Sequence, residues 1–230
     1  DAPAIEAADV RVRTQRFHDV LGRLREQVSA TIVGHDTAIE HLLLSVLAGG
    51  HCLITGLPGT AKTLMVRTLA AALGLGFKRI QFTPDLMPTV VTGTDVLEDS
   101  ESDGHRVWTF VPGPVFTHVL LADEINPTPP KTQAALLEAM QELSVTVRGR
   151  THVLEPPLLV LATQNPIELE GTYPLPEAQL DRFLFNVVLD YLSAEQEVEV
   201  LQRNAGMHVP AAPEPCTSGS EILEFRELVG

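Results

Sequence analysis

Cysteine, aromatic residues, basic charge and long apolar runs are all scarce in this 230-residue chain, and each shortage narrows the field. There are 2 cysteines. Cys52 lies in an apolar run and Cys216 in a Pro-rich stretch, with no metal-ligand spacing. Neither a disulfide framework nor a thiolate metal site is expected, and a reducing, cytoplasmic setting fits. No apolar run reaches the length of a membrane span, and no signal peptide opens the chain. The first residues, Asp1-Ala2-Pro3, lack an initiating Met and read as a trimmed start. Aromatics are 5% of residues, with 1 Trp, and 16 Lys plus Arg face 30 Asp plus Glu, a formal net charge of −14. A broad basic or aromatic stripe for nucleic acid is therefore excluded, leaving at most local basic loops. The acidity serves solubility or an acidic docking face.

What the chain does have is a large apolar share, 44%, enough to bury the core of one domain, or of one domain plus a fragment. The most informative stretch runs from Leu53 to Met65. The apolar run His51 to Thr55 predicts a buried strand. Gly56-Leu57-Pro58-Gly59-Thr60-Ala61-Lys62-Thr63 follows, and a helical pattern from Leu64 to Leu73 comes directly after. A strand, a glycine-bearing turn and a helix start make a phosphate site: successive N–H groups turn inward, and the helix N-terminus adds partial positive charge. Lys62 reaches outer phosphates and Thr63 offers a hydroxyl to Mg²⁺. Ala61 stands where the common motif has a second glycine. At a helix start with negative φ it is expected to be unstrained.

Upstream, Val10 to Ser29 has the spacing of an amphipathic helix. Ile32 to Asp36 is a short turn, with Asp36 as the expected N-cap of a helix over Thr37–Leu47. Val33 and Gly34 in this turn are placed either to hold a base by backbone groups or simply to join two helices. Downstream, Phe77–Phe82 predicts a strand and Asp95–His105 an exposed acidic turn. Val107–Phe110 and Val115-Phe116, around Pro112-Gly113-Pro114, predict a small hairpin, with Trp108 packed inside it or turned to a partner. Ser144–Leu154 reads as strand, turn and strand with Arg148 and Arg150 at the tip, either lining a pore or merely solvated.

The second chemical motif is Val119-Leu120-Leu121-Ala122-Asp123-Glu124, an apolar strand delivering two acids at its carboxyl end, where open α/β sheets bind ligands. Asp123 is expected to hold Mg²⁺ through water, opposite Thr63, and Glu124 to take a proton from the attacking water. A helix over Lys131–Leu143 follows. Leu158–Thr163 is another buried strand, and Asn165 just beyond it either orients the lytic water or caps its loop. Leu175–Phe183 predicts a helix bearing Arg182, and Phe185–Leu189 a last strand. Strands alternating with helices give a mostly parallel, three-layer sheet. Ser193 caps an acidic helix to Arg203, Met207–Gly219 reads as a connector, and Glu221–Val229 as a short helix.

Taken together, GLPGTAKT (Gly56–Thr63), LLADEIN (Leu120–Asn126), PPKTQAALLEAMQE (Pro129–Glu142), ATQNP (Ala162–Pro166) and GTYPLPEAQLDRF (Gly171–Phe183) resemble a MoxR-family AAA+ ATPase over about Thr31–Arg203. The resemblance implies a P-loop core with a five-stranded sheet over 1–190 and the beginning of a helical lid over 191–230. It implies ATP and Mg²⁺ as ligands, Gly56–Thr63 as the Walker A loop with Leu64 beside it, Asp123 and Glu124 as Walker B, Asn165 as sensor 1 and Arg182 as an arginine finger acting on a neighbouring subunit. Read without the family, Arg182 has the alternative of pairing with Asp181 or Glu177. Further implications are a ring of identical subunits, usually hexameric, and chaperone-like remodelling of client proteins, often with a von Willebrand A domain partner. Two departures stand out. Pro127 replaces the Arg usual after DEIN, and only the start of the lid is present, which predicts weak nucleotide turnover by this chain alone. The rival expectations are a magnesium-chelatase-like motor subunit, a helicase-type nucleic-acid motor, and a scaffold that binds ATP with little turnover.

Overall fold

Four apolar runs, at residues 51, 119, 159 and 183 onward, are hydrophobic on both faces, the pattern of strands covered by helices on both sides. In the computed structural model, which describes residues 2–99, 106–166, 172–204 and 213–229, they form one parallel sheet with a fifth strand. The strands are β1 (His51–Gly56), β2 (Phe77–Gln81), β5 (Val119–Asp123), β8 (Leu159–Gln164) and β9 (Phe183–Leu189). Their spatial order is β2-β5-β8-β1-β9, every neighbouring pair parallel. Between them lie β3 (Gly93–Asp99) paired with β4 (Arg106–Pro112), and β6 (Ser144–Val147) paired with β7 (Arg150–Val153), two antiparallel hairpins.

Strand alternation sorts the core into two layers. Cys52, Ile54, Leu121, Leu161 and Val187 point to one face, against α1 (Ala2–Thr31), α2 (Asp36–Ala48), α3 (Lys62–Ala72) and α8 (Gly219–Val229). Leu53, Leu120, Ala122, Val160 and Ala162 point to the other, against α4 (Pro88–Thr92) and α5 (Pro130–Glu142). This is the expected three-layer αβα, P-loop architecture. Two short elements complete it, α6 (Glu177–Leu180) and α7 (Ala194–Asn204). α8 packs on α1 and α2 through Ile222 and Phe225, so the C-terminal stretch lies on the core. Among the described residues no helix is long and apolar enough to cross a membrane. Both cysteines are free and buried.

Several local expectations need correction. Asp36 is the first residue of α2, not its cap. His35 takes that place in the left-handed region (φ 59), and its side chain makes no capping bond. Asp95–Asp99 is strand rather than turn; residues 100–105 lie outside the described set. β4 therefore pairs back onto β3 instead of forward onto Val115-Phe116. The forward hairpin fails because Gly113 sits against the backbone of Val91 and Gly93, and Phe116 N–H closes a turn on Gly113 O. The helix expected over Leu175–Phe183 contracts to one turn, because Pro176 starts it late and Phe183 already enters β9. Ser193 does cap α7, accepting from Gln196 N–H at 3.3 Å. Of the Met207–Gly219 connector, residues 207–212 lie outside the described set. Trp108 lies half exposed on β4, with the Arg148 guanidinium 3.7 Å above its ring, so the two hairpins touch.

Candidate nucleotide site

Because β8 separates β1 from β5, the carboxyl ends of β1 and β5 stand about 9–10 Å apart. That gap is where the two sequence motifs meet. β1 ends at Gly56 and runs into the loop; β5 ends at Asp123, followed by Glu124. The Lys62 ammonium lies within the field of both carboxylates. Burial pulls its pKa down, and Asp123 and Glu124 oppose that shift. Lys62 Nζ donates to Gly56 O at 2.6 Å and Leu57 O at 2.9 Å, spanning the mouth of the loop.

The loop backbone enters the left-handed region at two positions. Gly59 has φ 84, with nothing near a would-be Cβ. Ala61 has φ 58 and ψ 21. The expectation of negative φ at Ala61 is thus wrong: α3 begins at Lys62, two residues before the expected helical pattern from Leu64, and Ala61 remains in the turn. A left-handed alanine stores about 1–2 kcal/mol. The Thr60 hydroxyl donates to Leu57 O at 2.8 Å and closes the turn; Pro58 is exposed at its tip. Thr63 and Leu64 open α3.

The acids are held from two sides. Thr163 of β8 donates through Oγ1 to Asp123 Oδ1 at 2.6 Å and accepts from Glu124 N–H at 2.8 Å. From β2, Arg79 donates twice to Asp123 Oδ2, at 2.6 and 3.0 Å, and Gln81 Nε2 donates to Glu124 Oε2 at 2.6 Å. Asp123 is nearly buried. Glu124 adopts φ 55, a strained conformation for a non-glycine residue, and its backbone is fixed by the Thr163 bond. Gln133 of α5 ties the following loop by donating to Ile125 O and Tyr173 O, both at 2.9 Å. Asn165, one residue past β8, is buried beside these groups. Thr163, Arg79 and Gln81 were missed in the sequence. Thr163 left a faint signal, a lone hydroxyl ending an apolar strand. Arg79 and Gln81 left only their i, i+2 spacing, which puts both on one face of β2.

A cavity of about 860 Å³ opens beside the loop. Gly59, Thr60, Ala61 and Leu64 form one wall, Val33 and His35 another, and Tyr191 with α7 residues Val200 and Leu201 a third. Its size and apolar lining suit a planar ligand of nucleoside dimensions. Gly34 turns behind this wall with φ 68, and a Cβ there would meet Gln196 and Leu192 at 2.9 Å. Arg203 donates to Ser29 O and Ala30 O, clasping α7 onto the end of α1. Arg182 stands apart from the loop. It donates to Leu137 O at 3.1 Å and Gln141 Oε1 at 2.5 Å on α5, and neither Asp181 nor Glu177 is its partner.

The donor set also fits Mg²⁺. Thr63 and Asp123 offer hard oxygens, and among the described residues no cluster of three or more His, Cys, Asp or Glu could hold a metal by itself. Mg²⁺ is characteristically held by one or two protein oxygens plus phosphates, not by an all-protein cage.

A phosphate-type loop and an acid pair at the same end of a parallel sheet define a P-loop nucleotide-binding class. Residues 51–185 match the model of the ATPase family associated with various cellular activities (AAA). The chain is 48% identical over 202 residues to chaperone MoxR1 of Mycobacterium tuberculosis, covering 88% of this chain and 52% of that protein. It is 47% identical over 213 residues to the uncharacterized protein YeaC of Bacillus subtilis, covering 93% of this chain and 65% of YeaC. A crystal structure of a candidate ATPase from Cytophaga hutchinsonii superposes with a TM-score of 0.87 at 43% identity, over 97% of this chain and 66% of that one. The chain belongs to the AAA ATPase family, in its MoxR branch. It spans about half to two thirds of the length of these relatives.

Proposed function

We propose that this chain is the nucleotide-binding core of a MoxR-type ATPase that binds ATP with Mg²⁺, hydrolyses it to ADP and phosphate, and drives chaperone-like remodelling of client proteins. The observation that carries the reading is the convergence of Lys62 with Asp123 and Glu124 at one end of the sheet. In this reading the loop amides from Gly56 to Thr63 and the start of α3 hold the phosphates. Val33, Gly34 and Leu64 border the base. Thr63 and Asp123 hold Mg²⁺, which when bound neutralises charge between phosphate oxygens. Glu124 accepts the proton of the attacking water, and Asn165 orients that water. Of the lid assigned to residues 191–230, α7 (Ala194–Asn204) is the part that borders this site, while α8 packs on α1 and α2.

Arg182 has a role that needs a second copy. It sits away from its own loop, and its other contacts are to α5 of the same chain. A neighbour's Arg182 delivered to the phosphates would stabilise developing charge, an effect of about 10³–10⁵ in rate for arginine fingers. A homo-oligomeric ring, hexameric by the family pattern, follows from that role. A client protein, and a partner bearing a von Willebrand A domain, belong to the same reading.

The test is Glu124→Gln. Nucleotide affinity, read by equilibrium binding of a fluorescent ATP analogue, is expected to stay within about twofold while turnover stops. Hydrolysis at the wild-type rate refutes the role given to Glu124. Absence of nucleotide binding by the wild-type chain refutes the site.

A further inference from the structure

The nearly buried carboxylate of Asp123 already has a cation on it, and that cation faces solvent. Arg79 places Nη2 at 2.6 Å and Nε at 3.0 Å from Asp123 Oδ2. The arginine side chain is 47% exposed and the aspartate side chain 9%. The opposite oxygen, Oδ1, is occupied by the Thr163 hydroxyl. A carboxylate has about four lone-pair sites, so three are filled before any metal arrives. Lys62 is near, but its ammonium is bonded to Gly56 O and Leu57 O. Arg79 is therefore the group that neutralises Asp123 directly.

The sheet does not need this pair. β2 and β5 are already joined by a parallel ladder of five residue pairs, Phe77↔Val119 to Gln81↔Asp123. The Cα of Arg79 is opposite Leu121, two residues before Asp123, so the side chain leans along the strand to reach the acid. Gln81 Oε1 steadies the same Nη2 at 3.0 Å. Half in water, the guanidinium loses little by leaving, whereas the carboxylate cannot stay unpaired once it has left.

We propose that Arg79 is a stand-in cation on Asp123 that competes with Mg²⁺ for this carboxylate. Resting on the nucleotide-site reading above, the proposal makes Arg79 a positioning residue that sets how strongly metal and nucleotide binding are coupled. While the guanidinium is in place Asp123 is neutralised, and the oxygen it shares with Arg79 must be released for the metal's water shell.

The experiment compares nucleotide affinity in excess Mg²⁺ with that in EDTA, using a fluorescent ATP analogue at equilibrium, and takes the ratio of the two. Arg79→Ala is expected to raise this metal-coupling ratio about tenfold, the low end for hydrogen bonds to a charged group. In an Asp123→Asn background the same substitution is expected to change the ratio by less than about twofold, because the shared carboxylate is gone. Thermal unfolding shows whether each variant folds, and Arg79→Gln serves if the alanine variant does not. An unchanged or lower ratio in Arg79→Ala overturns the proposal. So does a tenfold rise that persists with Asp123→Asn, which would place Arg79 on the phosphates. If the wild-type chain binds no nucleotide in either condition, the site reading falls and this proposal with it. If nucleotide binds and Arg79→Ala leaves the coupling alone, only this proposal falls.

Discussion

Ala61→Gly separates two accounts of the phosphate loop by the sign of one free energy. Ala61 is exposed and has φ 58, ψ 21. Removing its methyl loses no buried contact. It relieves about 1–2 kcal/mol of left-handed strain. Against that, glycine widens the unfolded ensemble by about 0.4–1 kcal/mol. The net is a gain of about 0.5–1 kcal/mol, a rise of about 1–4 °C in melting temperature for a chain of this size. Had Ala61 occupied a helical position with negative φ, as its place before Lys62 suggests, glycine would cost up to about 1 kcal/mol. Urea unfolding, read as a midpoint shift at constant slope, measures the difference. Ala61→Val is the companion variant: a β-branched side chain at positive φ should lose more than about 1 kcal/mol. A destabilised glycine variant, or a valine variant as stable as wild type, refutes the left-handed assignment.

Two further expectations bear on separate parts of the molecule. Arg182→Ala should leave equilibrium nucleotide binding within about twofold of wild type and abolish turnover in the assembled protein; wild-type hydrolysis by the variant removes the trans-acting role. His51 is buried, accepts from Val160 N–H through Nδ1 at 3.1 Å and faces Met140 O with Nε2 at 3.3 Å, so it is held neutral. Burial lowers its pKa below the ordinary 6.5, aided by Arg226 and opposed by the Met140 bond. The unfolded chain therefore binds the extra proton first. The stability owed to neutral His51 is complete above pH 6.5 and declines as pH falls from there toward the depressed folded value. Urea midpoints between about pH 5 and 8 should show that decline, and His51→Gln should flatten it; equal slopes in the two proteins count against the assignment.

Strands β1, β5 and β8 were legible because parallel strands buried on both faces read as unbroken apolar runs. Leu120–Ala122 and Leu159–Ala162 are such runs, each almost fully buried. Both sequence motifs were legible for a related reason: each begins where an apolar run stops, at Gly56 and at Asp123. Backbone sign was not legible. Ala61 and Glu124 both take positive φ, and nothing about alanine or glutamate announces that; the turn geometry and the Thr163 bond impose it. Hairpin register was lost where β3 reads as an acidic loop, since Asp95, Glu98 and Asp99 mask a strand whose Leu97 pairs with Trp108. Arg79 lies 44 residues from Asp123, and only the β2-β5 adjacency brings them together.

The distribution of charge explains how so acidic a chain can offer a place to a polyanion. At −14 the molecule as a whole repels a triphosphate, but exposed charges farther away than about 10 Å are largely screened at 0.1 M salt. What counts is the local balance. At the sheet's carboxyl end two cations, Lys62 and Arg79, face two anions, Asp123 and Glu124, so the side chains nearly cancel. In the proposed reading the surplus comes from groups that carry no formal charge: the amides of residues 56–63 and the N-terminus of α3, worth roughly half a positive charge. These are fixed by backbone geometry and act at contact distance, where salt screens them least. The positive φ at Ala61 sits at the junction of this loop with α3. Ala61 is the last residue before α3, which begins at Lys62, and in the proposed reading its stored strain is a cost of setting the helix start beside the phosphates.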